Sequence, residues 1–215
     1  MMFLDTQEKY TPQSLDDFVF SNEETRELAT AYASGYLKKP LILHGVSGGG
    51  KSLLQKLIPN AIEAREASIK KVRCADLKTA DDIHDLYGRN KHFNRTFKWD
   101  GQKFNYIIIE EFLLTSAKLV DALKIELDET LGTDLTIIST NRFDEIDDAI
   151  VSRSEVLEVK PCEPRVFFPH AKNMFESEGV QIDDAKLLRC LEITHAIKAD
   201  NRKYYSVIDA MFRKI

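Results

Sequence analysis

Apolar and polar positions along this chain follow two different rhythms. Up to about residue 160, short apolar runs bounded by polar residues are separated by stretches of helical spacing. Leu41-Ile42-Leu43, Tyr106-Ile107-Ile108-Ile109 and Leu135-Thr136-Ile137-Ile138 are continuous and rich in β-branched residues. That is the pattern of strands buried on both faces of a parallel sheet. Residues 69–74 and 156–159 are weaker strand candidates. Between them, Ser21 with Glu24 three positions on predicts a capping box that opens a helix to about Leu37. Residues 51–58 read as a helix that Pro59 stops. From Ser116, the positions Leu119, Val120, Leu123, Leu127 and Leu131 keep helical spacing up to a capping Gly132. Strand and helix alternate, so residues 1–160 are expected to form a three-layer α/β domain.

After Pro161-Cys162-Glu163-Pro164 only the helical rhythm remains. Residues 166–178, 183–196 and 200–214 read as three amphipathic helices, which makes 161–215 a small helical domain. Pro161, Pro164 and Pro169 would then mark the joint. Composition narrows the class. With 215 residues, 43% of them hydrophobic, the chain can bury a full core and a smaller second one. Three cysteines without metal-ligand spacing fit a reducing compartment and no structural zinc. No secretory leader opens the chain and no run is long enough to span a bilayer. A soluble intracellular protein is expected, cytoplasmic or nucleoid, with a viral source equally open. The net charge of −5 argues against binding nucleic acid by overall charge, but leaves room for a local basic face.

The chemistry is concentrated at Gly45-Val46-Ser47-Gly48-Gly49-Gly50-Lys51-Ser52, which fits G-x-x-x-x-G-K-[ST] at every fixed position. Glycines let several backbone N–H groups converge on one phosphate, and the following helix offers its positive end. Lys51 would reach the outer phosphates, and the Ser52 hydroxyl would ligate Mg²⁺. Nucleotide contacts are expected at Gly45, Ser47, Gly48, Gly49, Gly50, Lys51, Ser52 and Leu53. Ligands of open α/β sheets bind outside the carboxyl ends of the strands. There the run 106–109 ends in Glu110-Glu111, and 135–138 ends in Ser139-Thr140-Asn141. Glu110 could hold Mg²⁺, Glu111 could position or deprotonate the attacking water, and Asn141 could orient that water or touch the γ-phosphate. Taken alone, a pair of acids also suits a solvated strand end, and Asn141 also suits a turn.

In this order, the residues resemble the AAA+ ATPases, and among them the clamp-loader group of replication factor C and the bacterial polymerase III loader. Tyr10-Thr11-Pro12 followed by Leu15-Asp16-Asp17-Phe18-Val19 is similar to the opening motif of those proteins, whose backbone near the valine holds adenine; Thr11 replaces their arginine. Arg73-Cys74-Ala75-Asp76 resembles their N-A-S-D stretch, and Glu110-Glu111 takes the place of the Walker B Asp-Glu. Thr140-Asn141 fits the sensor 1 position. Ser152-Arg153-Ser154 resembles the segment that supplies an arginine finger, so that Arg153 would act in trans on a neighbour's site. Asp200-Asn201-Arg202-Lys203 resembles the lid motif and makes Arg202 the sensor 2 candidate. The resemblance implies an AAA+ P-loop sandwich with a helical lid and Mg²⁺-dependent ATP hydrolysis. It further implies assembly with other AAA+ subunits, and DNA (primer-template) and a sliding clamp as partners. The helical collar of loader subunits and the zinc module of the bacterial ones have no counterpart in these 215 residues.

Residues 89–104 hold five basic side chains against one acid, with four aromatics interleaved. Lys91, Arg95 and Lys98 are therefore the nucleic-acid candidates, by phosphate contact beside stacking rings. A surface excursion whose aromatics pack back onto the sheet is the other reading. Three function classes follow: a clamp-loading ATPase, a helicase loader or other AAA+ remodeller, and a non-hydrolysing nucleotide-binding scaffold. A small P-loop kinase is disfavoured by the helical end of the chain.

Overall fold

The computed structural model describes residues 5–88 and 101–214. The chain divides into two compact units. The sheet unit comprises Glu24–Gly45 and Lys51–Val159; the helical unit comprises Met1–Glu23, Val46–Gly50 and Lys160–Ile215.

In the sheet unit, β1 (Leu41–His44), β2 (Ile69–Arg73), β3 (Asn105–Glu110), β4 (Asp134–Thr140) and β5 (Glu155–Glu158) form one sheet in the order β2-β3-β4-β1-β5. Every pairing is parallel. The three apolar runs form the inner strands β1, β3 and β4, and the two weaker candidates, which carry charged residues, form the edges β2 and β5. Around the sheet run α2 (Glu23–Ala33), α3 (Lys51–Glu63), α4 (Ala80–Leu86), α5 (Ala117–Glu129) and α6 (Asp148–Val151). Ile42, Ile107, Ile109 and Ile138 of the sheet share one buried cluster with Ile83, Leu123 and Leu127 of the helices.

Three local expectations are corrected. The helix opened by Ser21 and Glu24 starts at Glu23 and ends at Ala33, four residues short, where Gly35 N–H donates to the Tyr32 carbonyl and closes the last turn. The capping box does not form, and the buried Ser21 hydroxyl has no partner among the described residues. Pro59 does not stop α3. The helix runs to Glu63 because Leu57, Ile58, Pro59 and Ile62 are all buried, and burial of that face outweighs one missing hydrogen bond. Leu131 lies beyond the end of α5 and is exposed. A signal was missed at α4: Thr79 and Asp82 make the reciprocal capping box that the sequence there spells out.

The helical unit packs α7 (Pro164–Ser177), α8 (Asp184–Ile197) and α9 (Asn201–Phe212) around Phe167, Met174, Phe175, Leu187, Leu191, Tyr204 and Ile208. These are the three helices of the sequence pattern, shifted by up to two residues. Pro164 and Pro169 both lie within α7 rather than in a joint. The N-terminal segment also belongs to this unit. In α1 (Thr6–Tyr10), Thr6 N–H donates to Asp209 (3.0 Å), and the Thr6 hydroxyl donates to the Tyr205 carbonyl (3.1 Å). No helix among the described residues is long and apolar enough to cross a membrane.

Candidate active site

Parallel strands aim their carboxyl ends at one edge of the sheet, and the register levels those ends. His44 of β1 is opposite Thr140 of β4, and Ile138 of β4 is opposite Ile109 of β3. Gly45, Asn141 and the Glu110-Glu111 pair therefore leave the sheet within about two residues of the same height. Neighbouring strands are about 4.8 Å apart, so β3 and β1 are separated by roughly 10 Å. That span suits a polyphosphate and its metal.

Each end is locally fixed. The Lys51 ammonium, in the first turn of α3, donates to the Gly45 carbonyl at 2.7 Å. The Ser52 hydroxyl next to it is exposed, and Leu53 is half-buried. Glu110 is largely buried and its carboxylate pairs with Lys71 of the edge strand β2 at 2.9 Å, a neighbour that sequence reasoning missed. Glu111 is exposed and adopts a left-handed backbone (φ 53°), which a non-glycine residue takes at a cost of about 1–3 kcal/mol. That turn is imposed from the next residue: Phe112 is buried and its N–H donates to the Ser139 carbonyl at 2.8 Å. After β4, the Thr140 hydroxyl accepts from Arg142 N–H at 2.9 Å, and Phe143 stacks on His44 at 4.3 Å. Asn141, between them, is exposed at the sheet edge.

Arg153 is elsewhere. It lies two residues before β5, whose first residue, Glu155, is opposite Leu41 at the amino end of β1. Its guanidinium forks onto Asp128 at the end of α5 (Nε–Oδ1 2.9 Å, Nη2–Oδ2 3.0 Å) and donates to the Ala149 carbonyl at 2.8 Å. The sheet unit thus brings Lys51, Ser52, Glu110, Glu111 and Asn141 to one edge and puts Arg153 at the opposite one.

The helical unit holds the tip of the glycine-rich loop and the start of α9. Arg202 Nη2 donates to the Ser47 hydroxyl at 3.0 Å. The N–H of Asn201 donates to the Gly48 carbonyl at 3.1 Å. Gly48 has φ 91°, and a Cβ there would fall 2.2 Å from the Asp200 carboxylate, so no other residue fits. Gly50 meets the same limit, since its Cβ would sit 2.8 Å from the Phe18 ring. Gly49 is buried. The Tyr10 hydroxyl donates to Glu178 at 2.5 Å. The Val19 carbonyl accepts the Cys162 thiol at 3.0 Å, and burial pushes that thiol pKa up to about 11 against a weaker opposing hydrogen bond from Asn201. Asp200 and Asn201 are contacts of the loop that sequence reasoning noticed only as flanks of Arg202. Lys91, Arg95 and Lys98 lie outside the described residues. Of the interleaved aromatics, Phe104 is buried against Tyr106, as the packed-back reading expects.

The sequence profile of the ATPase family associated with various cellular activities (AAA) matches residues 41–161, more than half of the chain. The chain belongs to the AAA family. Among curated proteins this AAA chain is similar to replication factor C small subunit 2 of Pyrobaculum arsenaticum, with 25% identity over 87% of the chain and 58% of the relative. It is also similar to replication factor C subunit 4 of Encephalitozoon cuniculi, at 23% identity over 94% of the chain and 63% of the relative. The chain spans about three fifths of the length of these relatives. Among solved structures, the Thermotoga maritima RuvB Holliday junction branch migration motor superposes over 92% of the AAA chain and 63% of its own, with a TM-score of 0.69 and 16% identity. A point variant of that RuvB gives a TM-score of 0.70 at 15% identity, over the same shares of the two chains. Both confirm the fold.

Proposed function

We propose that this chain binds ATP in the Gly45–Ser52 loop and hydrolyses it as one subunit of an AAA assembly that acts on DNA during replication. The observation that carries the reading is that β1, β3 and β4 end at one sheet edge, which brings Lys51, bonded to the Gly45 carbonyl, together with Glu110, Glu111 and Asn141. Backbone N–H groups of the loop and the Lys51 ammonium would hold the β- and γ-phosphates. Lys51 would exchange the Gly45 carbonyl for a phosphate oxygen, a stronger, charge-assisted partner. Glu111, exposed and turned out of the strand, would hold and deprotonate the attacking water, with Asn141 fixing its direction. Tyr10 and the backbone near Val19 would hold the adenine, as the resemblance to the clamp-loader group implies.

Ser52 and Glu110 supply a hydroxyl and a carboxylate, the hard oxygen donors that Mg²⁺ takes. When bound, Mg²⁺ would offset charge between the β- and γ-phosphates. Primed DNA and a sliding clamp, the partners implied by the resemblance to the clamp-loader group, are what the assembly would work on. The replication factor C names of the relatives support that choice.

Lys51→Ala is expected to weaken binding of ATP roughly 10- to 100-fold, the loss of one charge-assisted hydrogen bond or two. Titration with a fluorescent ATP analogue measures this; unchanged affinity overturns the loop assignment. Rates of hydrolysis without DNA, with single-stranded DNA, and with primed DNA plus clamp test the rest. Replacing Lys91, Arg95 and Lys98 together by Ala is expected to lower the ratio of primed-DNA-stimulated to basal hydrolysis severalfold, and to flatten its salt dependence. An unchanged ratio removes that segment from DNA binding.

A further inference from the structure

A carboxylate is an unexpected neighbour for a loop whose task is to hold an anion. Asp200 is 2% exposed and rests where a Gly48 side chain would otherwise be. It caps α9 by accepting the Arg202 N–H at 3.0 Å, and accepts the Arg202 guanidinium twice, from Nε at 3.0 Å and Nη2 at 2.8 Å. The same Nη2 reaches the Ser47 hydroxyl of the loop. Burial works to raise the Asp200 pKa, but the hydrogen bonds from Arg202 outweigh it, so the carboxyl sits below its ordinary value and is charged at neutral pH.

We infer that Asp200 is a positioning residue that sets both the aim of Arg202 and the charge of the phosphate loop. Its carboxylate cancels the guanidinium while holding it on Ser47, so incoming polyphosphate meets a neutral pair rather than a free cation. Fork geometry explains the choice of Arg: one guanidinium can satisfy a carboxylate with Nε and Nη2 and still present donors to the loop. The lack of a Cβ at Gly48 is what admits the carboxylate so close. A cap alone would need neither the contact with Gly48 nor the fork. The inference rests on the ATP reading above and deepens it, by assigning the loop a built-in brake on anion affinity.

Asp200→Asn keeps the shape, the cap and one acceptor for Nε, and removes the charge. Binding of a fluorescent ATP analogue, with inorganic tripolyphosphate as competitor, is expected to tighten about five- to tenfold at low salt, with the gain shrinking as salt rises. Arg202→Ala leaves the carboxylate unmasked beside the loop and is expected to weaken binding at least tenfold. The double variant Asp200→Asn/Arg202→Ala is expected to recover most of that loss. A purely structural cap moves none of these: unchanged or weaker binding by Asp200→Asn, or a double variant as weak as Arg202→Ala, overturns the inference. Asp200→Ser, which caps without a carboxylate, repeats the test if Asp200→Asn melts early. Failure of the wild-type chain to bind the analogue at all is a different result, and sinks the ATP reading itself.

Discussion

Arg153→Ala is expected to keep the affinity of the wild-type chain for ATP and to lose at least about 10³-fold in turnover, the effect of removing an arginine that stabilises charge on a transferring phosphoryl group. The geometry makes this a prediction about neighbours. Arg153 precedes the amino end of β5, level with Leu41, whereas the phosphate loop leaves the carboxyl end of β1 after His44. The length of the strand, at about 3.3 Å per residue, keeps the guanidinium away from the loop of its own chain. Its fork onto Asp128 and its bond to Ala149 hold a planar group at the surface instead of letting it wave in solvent. A second subunit's nucleotide would have to find it there. Mixing supplies the decisive measurement. Lys51→Ala subunits bind little nucleotide but carry an intact Arg153; Arg153→Ala subunits bind nucleotide but lack the arginine. Hydrolysis that reappears when two such inactive populations are mixed places the arginine in trans. Silence on mixing, or an Arg153→Ala rate equal to wild type, removes it from the reaction.

Glu111→Gln is expected to slow hydrolysis by about 10²–10⁴-fold while nucleotide still binds, because the amide keeps the size of the side chain but cannot take the proton of water. The left-handed backbone at Glu111 sharpens the control. Glu111→Gly relieves the backbone cost and removes the carboxylate, so the chain should melt no earlier than wild type and yet be as slow as Glu111→Gln. Single-turnover hydrolysis with a melting curve for each variant separates these. A Glu111→Gln chain that hydrolyses at the wild-type rate would remove Glu111 as the base. Glu110 is a poor substitute on present geometry, since Lys71 holds its carboxylate at 2.9 Å.

How far the sequence could be read depended on whether a signal was local. The three inner strands, β1, β3 and β4, are apolar runs buried on both faces, so they could be placed without coordinates; the edge strands β2 and β5 carry charged residues and gave the weaker signals. The loop with Lys51 and the acid pair at the end of β3 are each a run of consecutive residues and carry their own chemistry. Pro59 and Ser21 went the other way for tertiary reasons. A proline costs a helix one hydrogen bond, but the buried face of α3, with Leu57 and Ile58 before Pro59 and Ile62 after it, carries the helix past it. The helix begins at Glu23, one residue too late for Ser21 to be its N-cap, with Thr25, Ala29 and Tyr32 as its buried face.

By itself, then, the sequence determined the strand-helix alternation, the glycine-rich loop with Lys51 and Ser52, the acids Glu110 and Glu111 at the end of β3, and the helical end of the chain, because each is written within a few neighbouring residues. Only the tertiary structure decided that Asp200 lies against Gly48, that Lys71 pairs with Glu110, that Arg153 is tied to Asp128, and that Thr6 is bonded to α9. Those pairs are 25 to 203 positions apart in the chain. No periodicity or motif encodes such a distance; it is set by which buried faces pack together, and so it appears only once the chain has folded.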